Sequence, residues 1–521
     1  MSTPTICGLD IGTLGVKGVI VTVHATDELG APSERIKAQA RVDHAINEPK
    51  RGWSEQDADS QWWGDTVTVI RELLAQASVD PQSIVAIGVS GLTPCLCLLD
   101  ADGLPIRPAI LYGDNRALAQ LARARAVLDP ALTAQAITPK WLWLSEFEPS
   151  ALARASAICS SHNYVVFRLT GRLAVDYDTA SIFGGIFDAD RRSWERSACE
   201  ALGLDASLLP VPCAVTDVVG HVSTAAARVT GLPAGIPVIA GTGDTFPTIV
   251  GCGAIAPGDA MVSFGSTGLL TFTTRPLASA VHGPHFMDAA EGGAVKWATN
   301  VLACGRLLTW FREGFGAAIT GCEAGPDGLP TLASLDSRAA EITAGSNNLV
   351  ALPHLLGRRT PQPDPSARGV LFGLAPGHSA LHVYRALLES FGYAVRRGYE
   401  PIIPEVRRIV ATAGGAASAP WRQILADILA REIEYFPGAS GALGVAFIAA
   451  YATGCVERFE DIRDHWLSGP VLTRPIPANA ERYDALYRVY CCLDDGLDQA
   501  FELLASLTSD GDFPGQGQIV N

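Results

Sequence analysis

Two glycine turns in the 521-residue chain carry residues suited to holding a metal-bound phosphate. In the first turn, Asp10 stands beside Gly12 and Thr13, and a carboxylate next to turn amides is what a Mg²⁺-phosphate complex requires. The second turn, GSTG at residues 265–268, offers amides and hydroxyls of the same kind. Turns of this composition are also common as purely structural elements, and that alternative stays open for each of them.

Two further segments follow predicted strands. Asp244, flanked by glycine at 243, stands just beyond a buried strand, where α/β sheets place chemistry, although it could instead cap the following helix. Residues 414–418, GGAAS, form a glycine pair before a helix that would allow a base or ribose to approach the backbone closely. Together the four segments indicate chemistry on a nucleotide phosphate.

Several familiar nucleotide and hydrolase motifs are missing from the sequence. None of the five lysines follows a glycine, so the chain has no G-x-x-x-x-G-K-[ST] loop and is not a Walker-type NTPase. A G-x-G-x-x-G fingerprint after a strand, a G-x-S-x-G elbow and an H-E-x-x-H helix are missing as well. Dehydrogenase, α/β-hydrolase and zinc-protease functions therefore lose support.

The two phosphate turns are each predicted to join a pair of strands. The first hairpin has strands at 5–9 and 16–23, with the break at 10–13, and the second has strands at 261–264 and 269–273. Two such hairpins half a chain apart predict a duplicated α/β architecture whose turns face one ligand. The other predicted elements are helices at 57–77, 379–399 and 421–431 with Ser418 as an N-cap, and strands at 83–89, 236–240 and 408–412.

The length and composition predict a globular protein of more than one domain. At 48% apolar and 18% charged residues the chain can bury large cores, and turn-forming residues near 251–253 mark a hinge. We predict an N-terminal domain at 1–253, a C-terminal domain at 254–507 and a loose tail at 508–521. A net charge of −15 argues against nucleic acid and anionic membranes as partners. Twelve cysteines without paired spacing, and an N-terminus unlike a signal peptide, favour the cytoplasm.

Motifs along nearly the whole chain resemble those of the FGGY carbohydrate kinases, and most resemble the xylulokinase branch of that family. The matching segments are GLDIGT at 8–13 with Lys17, GWSEQD at 52–57, the run 98–111, residues 241–244, residues 265–268, GRRTP at 357–361, Arg368 with glycine 369, and residues 414–418 with Trp421, Gln423 and Asp427.

The resemblance implies an α/β fold with two actin-like (ribonuclease H-like) domains, and ATP and Mg²⁺ in the cleft between them. It implies transfer of phosphate to a small ketose or polyol, with D-xylulose as the first candidate, and leaves a homodimer open as the assembly. By this resemblance Asp244 is the catalytic base and Asp10 assists Mg²⁺. The residues expected to bind ATP are Gly12, Thr13, Lys17, Gly265, Ser266, Thr267, Gly414, Gly415, Ala417, Ser418 and Gln423.

The sugar pocket departs from the xylulokinase pattern. Leu92-Thr93-Pro94 stands where that branch has Gln-Met-His, and a proline nitrogen donates no hydrogen bond, so a different hydroxyl pattern is indicated. Thr93, Pro94, Asp114 and Trp53 are the expected acceptor contacts together with Asp244. Asp114 could instead pair with Arg116, and Trp53 could simply be buried. The open alternatives are ribulose, erythritol or gluconate as acceptor, and an actin-like ATPase or a sugar sensor as function.

Overall fold

The computed structural model describes residues 3–23, 35–76, 79–281, 294–467 and 469–507, so the predicted tail at 508–521 lies outside the described residues. Two mixed β-sheets of the same plan dominate the structure. In each sheet, three strands that are consecutive in the chain pair antiparallel at one side of the sheet. The first of these strands in the chain is the innermost, and the next two strands across the sheet run parallel to it. An antiparallel strand forms the far edge. The duplicated α/β architecture predicted from the two hairpins is confirmed.

We call these the N-terminal and the C-terminal sheet. The N-terminal sheet runs, from edge to edge, Ile36–Asp43, Gly15–Thr22, Thr5–Gly12, Ile84–Gly91, Pro237–Ile239 and Val218–His221, and Thr242–Gly243 also pairs with Ile84–Gly91. The C-terminal sheet runs Val295–Val301, Gly268–Thr273, Asp259–Phe264, Arg408–Thr412, Ile433–Tyr435 and Val471–Thr473. Two-stranded ribbons join Glu55–Gln56 to Ala109–Ile110, Cys97–Leu99 to Ala157–Cys159, Ala174–Asp176 to Val211–Cys213, Phe187–Asp188 to Ser193–Trp194, and Val350–Leu352 to Val370–Phe372.

Helices cover both sheets. The α-helices are Asp65–Leu74, Leu118–Val127, Ile137–Phe147, Pro149–Leu152, Ser161–Thr170, Tyr177–Ser181, Arg196–Leu202, Thr224–Thr230, Thr245–Gly251, Leu277–Ala280, Gly305–Phe315, Leu332–Ala340, Ala380–Tyr399, Ala419–Leu429, Gly441–Ala452, Pro477–Gly496 and Asp498–Ser506. Short 3₁₀ turns are Pro81–Ser83, Ala206–Leu208, Gly316–Ala318, Ser346–Asn348, Glu400–Ile402 and Gly414–Ala417, and π-helical turns are Ala58–Gly64 and Ile462–Trp466.

Both predicted hairpins are present, but the first has a longer leading strand. Its strand continues through Gly12, so Asp10 lies within the strand rather than in the turn, opposite Lys17 on one side and Ser90 on the other. The cause is alternation: Leu9 and Ile11 are fully buried, which leaves Asp10 on the opposite face of the sheet. The prediction that the chain breaks at Asp10 was therefore wrong.

The predicted helices are present with adjusted bounds. The single helix predicted over 57–77 is instead a π-helical turn followed by Asp65–Leu74, because the Asp57 side chain caps the amide of Ser60 at 2.7 Å and begins a separate turn. Ser418 occupies the N-cap position of helix Ala419–Leu429, as predicted, and Ser379, predicted as the first residue of its helix, is instead the N-cap of Ala380–Tyr399. Strand Arg408–Thr412 matches its predicted range.

One helix from the C-terminal half of the chain packs on the N-terminal sheet. Helix Gly441–Ala452 is buried along almost its entire length. The sheet accepts it through glycines: a Cβ added to Gly8 would lie 2.0 Å from the Ala442 carbonyl oxygen, and one added to Gly88 would lie 2.3 Å from that of Val445. Only residues without a side chain allow this approach. The domain boundary near 253 stays a prediction.

Candidate active site

Two carboxylates lie at the same edge of the N-terminal sheet. Strand Ile84–Gly91 pairs in parallel with Thr5–Gly12 on one side and with Thr242–Gly243 on the other. In this register Ser90 is opposite both Asp10 and Thr242, and Asp244 follows directly. Chemistry in open α/β sheets is placed at this carboxyl edge of the strands.

Asp10 is held by its neighbours on the sheet. The Ser90 hydroxyl donates a hydrogen bond of 2.8 Å to Asp10 Oδ1. Burial raises the pKa of Asp10, while the Ser90 hydrogen bond and the charge of Lys17 oppose that rise. The first residue of the crossing helix, Gly441, lies against this carboxylate, since an added Cβ would be 2.9 Å from Oδ2. Lys17 itself is exposed, on the strand paired with that of Asp10.

Asp244 begins helix Thr245–Gly251 but does not cap it. Its backbone N–H donates to the Gly91 carbonyl oxygen at 2.9 Å, whereas its carboxylate makes no capping hydrogen bond within the described residues and receives the Thr245 hydroxyl at 3.3 Å. Burial and the charge of Asp10 raise the pKa of Asp244 to about 7. The helix-cap alternative is thereby removed, and a carboxylate that titrates near neutral pH remains.

The first phosphate turn is fixed through its carbonyl groups. His44 contacts the Gly12 carbonyl oxygen through Nε2 at 3.1 Å, and the Gln56 amide donates to the carbonyl oxygen of Thr13 at 2.9 Å. Because these carbonyl groups are engaged from behind, the turn is held in one orientation. The Thr13 hydroxyl lies 3.4 Å from that of Tyr112.

The second phosphate turn is fixed in the same way by the start of helix Gly305–Phe315. The Gly305 N–H donates to the Gly265 carbonyl oxygen at 2.9 Å, and the N–H of the preceding cysteine donates to the Ser266 carbonyl oxygen at 3.0 Å. The Thr267 hydroxyl donates to the Leu302 carbonyl oxygen at 3.5 Å, and Ser266 is exposed. Both turns thus present a threonine on a backbone anchored elsewhere.

The predicted nucleotide segment at 414–418 has one open and one packed glycine. Gly414 and Ala417 are exposed, and a Cβ on Gly414 would meet no atom of the described residues within 4 Å. A Cβ on Gly415 would lie 2.5 Å from the Trp421 ring, so that glycine is required by packing. Ser418 Oγ accepts the Trp421 N–H at 3.3 Å.

Gln423, the last predicted nucleotide contact, is engaged within the C-terminal half of the chain. Its amide nitrogen donates to Asp427 Oδ1 at 2.8 Å and to the Arg474 carbonyl oxygen at 2.9 Å. The side chain is therefore held in place by protein groups.

The predicted acceptor residues differ in how open they are. Thr93 Oγ1 would lie 2.4 Å from a Cβ on Gly243, so it borders the segment that carries Asp244, whereas Pro94 is buried. Asp114 has a fully buried side chain that accepts from Arg116 at 2.9 and 2.7 Å and from the Ser54 N–H at 2.5 Å. This geometry favours the ion-pair alternative stated for Asp114.

Trp53 packs against cations and another aromatic ring. Its ring centroid lies 3.7 Å from the Arg116 guanidinium and 4.6 Å from Lys50 Nζ, and it meets Trp143 edge-on at 5.3 Å. The ring is only partly buried, so neither of the two alternatives for Trp53 is removed.

Several residues at the site were not singled out from the sequence. Ser90 lies in a strand and has no motif of its own. Gly441 and Gly444 are spaced by three residues at the start of an apolar helix. This spacing indicates close helix packing, so the sequence did contain a signal for Gly441. Tyr112 is the third: its hydroxyl lies 3.4 Å from that of Thr13 in the first turn, and burial, with the charge of Asp244 acting in the same direction, raises the pKa of Tyr112.

Family models match this chain over most of its length. The model of the N-terminal domain of the FGGY family of carbohydrate kinases matches residues 5–251, and that of the C-terminal domain matches residues 260–453. The chain therefore belongs to the FGGY family of carbohydrate kinases and is a sugar kinase, a phosphotransferase with the two-domain, actin-like α/β fold.

Individual relatives cover nearly the full chain. It is 30% identical to the xylulose kinase of Escherichia coli (strain K12), over 85% of this chain and 89% of that protein. It is 24% identical to the gluconokinase of Bacillus subtilis (strain 168), over 96% and 98%. The crystal structure of xylulose kinase from Rhodospirillum rubrum superposes with a TM-score of 0.78 at 30% identity, covering 96% of this chain and 100% of that one.

Two kinds of feature are absent from the described ranges. None of their helices combines the length and apolar character needed to cross a bilayer. No group of three or more His, Cys, Asp or Glu side chains in these ranges is arranged to hold a metal ion.

Proposed function

We propose that this protein transfers the γ-phosphoryl group of ATP to a hydroxyl of a small ketose or polyol, with D-xylulose and its 5-phosphate as the reference reaction. The observation that carries the proposal is the placement of Asp10 and Asp244 at one sheet edge, on strands that flank Ile84–Gly91. The relatives named xylulose kinase support the choice of acceptor. Ribulose, erythritol and gluconate are the alternatives, because residues 92–94 lack the usual polar contacts.

Asp244 acts as the general base in this proposal. As the acceptor hydroxyl attacks the γ-phosphorus, its proton passes to the Asp244 carboxylate, the bond to the β-phosphate oxygen breaks and ADP leaves. A pKa of about 7 places the carboxylate close to the pH at which a base is most effective. Apart from Thr245, its oxygens accept no hydrogen bond within the described residues, so they are available to an acceptor.

Asp10 fits the role of a magnesium ligand. Mg²⁺ is usually held by one or two carboxylates together with the phosphates of its nucleotide, and Asp10 supplies one such carboxylate. Asp10 Oδ2 faces Gly441, while Ser90 holds Oδ1. When bound, the ion would neutralise charge on the phosphates.

The two anchored turns are the proposed phosphate contacts. Gly12 and Thr13 from one sheet, and residues 265–267 from the other, would receive the phosphates, and the open backbone at Gly414 would receive the adenosine. Lys17, beside Asp10, adds positive charge. Phosphoryl transfer depends mainly on such positioning and charge neutralisation.

The decisive experiment is Asp244→Asn, assayed for ADP formation with and without D-xylulose. We expect turnover to fall by about 10³-fold or more, because the amide cannot accept the proton while the shape of the site is kept. Asp464→Asn, at an exposed position paired with Arg458, serves as the matched control. Unchanged turnover in Asp244→Asn would remove the mechanism.

The same assay separates the other classes of function. An actin-like ATPase would consume ATP at a rate that no acceptor changes, and a sugar sensor would bind an acceptor without turnover. We also propose the cytoplasm as the working compartment, since all twelve cysteines are free thiols and free thiols persist under reducing conditions.

A further inference from the structure

His44 lies directly behind the first phosphate turn. It follows the edge strand Ile36–Asp43, and its backbone N–H donates to the Leu14 carbonyl oxygen at 3.2 Å, which ties it to the turn. Its ring Nε2 lies 3.1 Å from the Gly12 carbonyl oxygen, and its ring Nδ1 lies 2.8 Å from Asp65 Oδ2. The imidazole side chain is only 4% exposed. Both ring nitrogens therefore face oxygen atoms of the protein.

Both of these oxygen atoms accept hydrogen bonds. A backbone carbonyl oxygen can only accept, so Nε2 of the ring must carry a hydrogen. Asp65 is the first residue of helix Asp65–Leu74, where the helix dipole favours a negative charge, and an ionised carboxylate can also only accept. Nδ1 must then carry a second hydrogen. Because a neutral imidazole has one ring hydrogen, this geometry requires the positively charged imidazolium form of His44.

Four other charged groups lie on the strands around His44, namely Arg41, Asp43, Lys17 and Asp10. Arg41 and Asp43 pair with each other at 2.5 Å on the exposed edge strand. Lys17 is exposed on the adjacent strand, and Asp10 is hydrogen-bonded to the parallel strand on the other side of its own. Asp65, by contrast, contacts the imidazole ring directly, so it is the carboxylate that balances the charge of the ring.

A second side chain anchors the same turn without carrying a charge. The Gln56 amide nitrogen donates to the Thr13 carbonyl oxygen at 2.9 Å, and the Trp62 indole N–H donates to Gln56 Oε1 at 2.9 Å. Gln56 and Trp62 are both fully buried. The two anchors share one arrangement, in which a side chain holds a carbonyl group of the turn and is itself held by a further residue. They differ in charge, so the Gln56 anchor provides a control for the His44 anchor.

A cation on the Gly12 carbonyl group changes the peptide that follows it. In a trans peptide the carbonyl and N–H groups point in opposite directions, so holding the Gly12 carbonyl oxygen from the side of His44 directs the Thr13 N–H away from His44. Hydrogen bonds along one peptide polarise each other, so an imidazolium at the carbonyl oxygen makes the Thr13 N–H a stronger donor. The positive charge also attracts phosphate at short range. Both effects favour an anion in the turn.

We propose that His44, kept as an imidazolium by Asp65, is a positioning residue that strengthens the binding of nucleotide phosphate to the first turn, and that this contribution is lost when His44 gives up its proton. His44 acts through the peptide between Gly12 and Thr13 and does not touch the nucleotide itself. The inference rests on the proposed kinase function, because it takes this turn to bind the phosphates of ATP. The contribution is present while the ring is protonated and disappears as the pH rises.

The test is the Kd of Mg²⁺-ATP in an Asp244→Asn background, measured by calorimetric titration from about pH 6 to about pH 9, the range that contains the titration of histidine. In this background ATP binds without turnover, and the carboxylate whose pKa is raised to about 7 is gone. Adding His44→Gln, which keeps one donor but no charge, should raise the Kd about fivefold or more at about pH 6 and make little difference at about pH 9. The titration of ATP itself is the same in every variant.

Two further variants separate charge from shape. His44→Arg keeps a positive charge and more than one donor, so it should restore most of the affinity and hold it at every pH. Gln56→Ala removes the neutral anchor, so it should raise the Kd by a similar factor at every pH and keep the pH dependence of the parent. With Asp244 intact, His44→Gln should raise the KM for ATP at low pH and leave kcat nearly unchanged.

Nitrogen NMR of the native protein with labelled histidine tests the charge without any substitution, and His44→Gln identifies the signals. We expect both ring nitrogens of His44 to be protonated at about pH 7. One unprotonated ring nitrogen, or a ratio of the two Kd values that is the same at every pH, would overturn the inference and leave the kinase function intact. Failure of the native protein to bind ATP at any pH would instead overturn the proposed function.

Discussion

The two sheets share one strand order but end in different chemistry. At the edge of the N-terminal sheet, Asp10 is bound by Ser90 from the neighbouring parallel strand. At the corresponding edge of the C-terminal sheet, the leading strand ends in Phe264, which meets Phe391 at 5.0 Å and Trp421 at 4.8 Å. One sheet edge therefore carries charges, and the other carries an aromatic support beneath the glycines at 414 and 415.

The comparison shows that the shared fold places equivalent residues at equivalent positions in the two sheets without giving the two sheet edges the same chemical role. Both hairpins keep a threonine in the turn, Thr13 and Thr267, and both turns are held through their carbonyl groups. The carboxylates occur in the N-terminal sheet, where the proposed proton transfer takes place. The apolar edge offers a rigid surface, which suits the binding of a flat nucleotide base.

Among the three tests of this comparison, the largest effect is expected for the carboxylate of Asp10, which has no counterpart at the apolar edge. Asp10→Asn should lower kcat/KM by about 10²-fold or more, because the proposed magnesium ligand loses its charge. The measurement is initial rate against Mg²⁺ concentration. Asp43→Asn, an exposed carboxylate on the edge strand of the same sheet, should leave the rate near that of the native protein. Equal rates for native protein and Asp10→Asn would show that Asp10 is not needed.

The second prediction concerns the pH dependence of stability, because Asp10 and Asp244, the two carboxylates with raised pKa values, lie at the edge of the N-terminal sheet. The pKa of Asp244 is raised above that of an unfolded aspartate, so folding favours its protonated form. The contribution of the protonated Asp244 carboxyl group to folding stability is fully present below about pH 4 and is lost as the pH rises through about 7. Thermal denaturation of Asp244→Asn should therefore show a smaller fall in Tm between about pH 5 and about pH 8 than that of the native protein. Identical pH dependence in the two proteins would contradict the raised pKa.

The smallest expected effect is a change in the free energy of unfolding, compared between two neighbouring glycines at the apolar edge. Gly415→Ala should lower the free energy of unfolding by about 1–3 kcal/mol, because its methyl group would meet Trp421 and Phe264. Gly414→Ala, one residue away in open space, should change it by less than about 0.5 kcal/mol. Chemical denaturation measures both. Similar losses in the two variants would mean that contact with the aromatic support is not the cause.

Sequence reasoning reached the architecture because the hairpins and N-caps are local signals. Alternating strand residues and Ser418 before its helix depend on their neighbours in the chain, so they were predicted correctly. The break placed at Asp10 was wrong because the paired strands on either side extend the sheet past a residue that local preference assigns to a turn.

The candidate site was predictable in part. Asp10, Asp244 and the two turns were found because each has glycine next to a polar residue. Ser90 and Tyr112 were not assigned to the site, since each gains its meaning only from residues far away in the sequence. Asp114 was predicted either to contact the acceptor or to pair with Arg116, and its carboxylate accepts hydrogen bonds from that arginine.

The helix Gly441–Ala452 has a mechanical consequence. Besides its two close approaches to the sheet, a Cβ on Gly444 would lie 1.8 Å from the Pro247 carbonyl oxygen, and one on Gly251 would lie 2.1 Å from that of Ser440. Contacts this tight prevent the helix from sliding along the sheet. The helix and the sheet must then move as one unit, so Asp10 keeps its position beside the first turn of the helix.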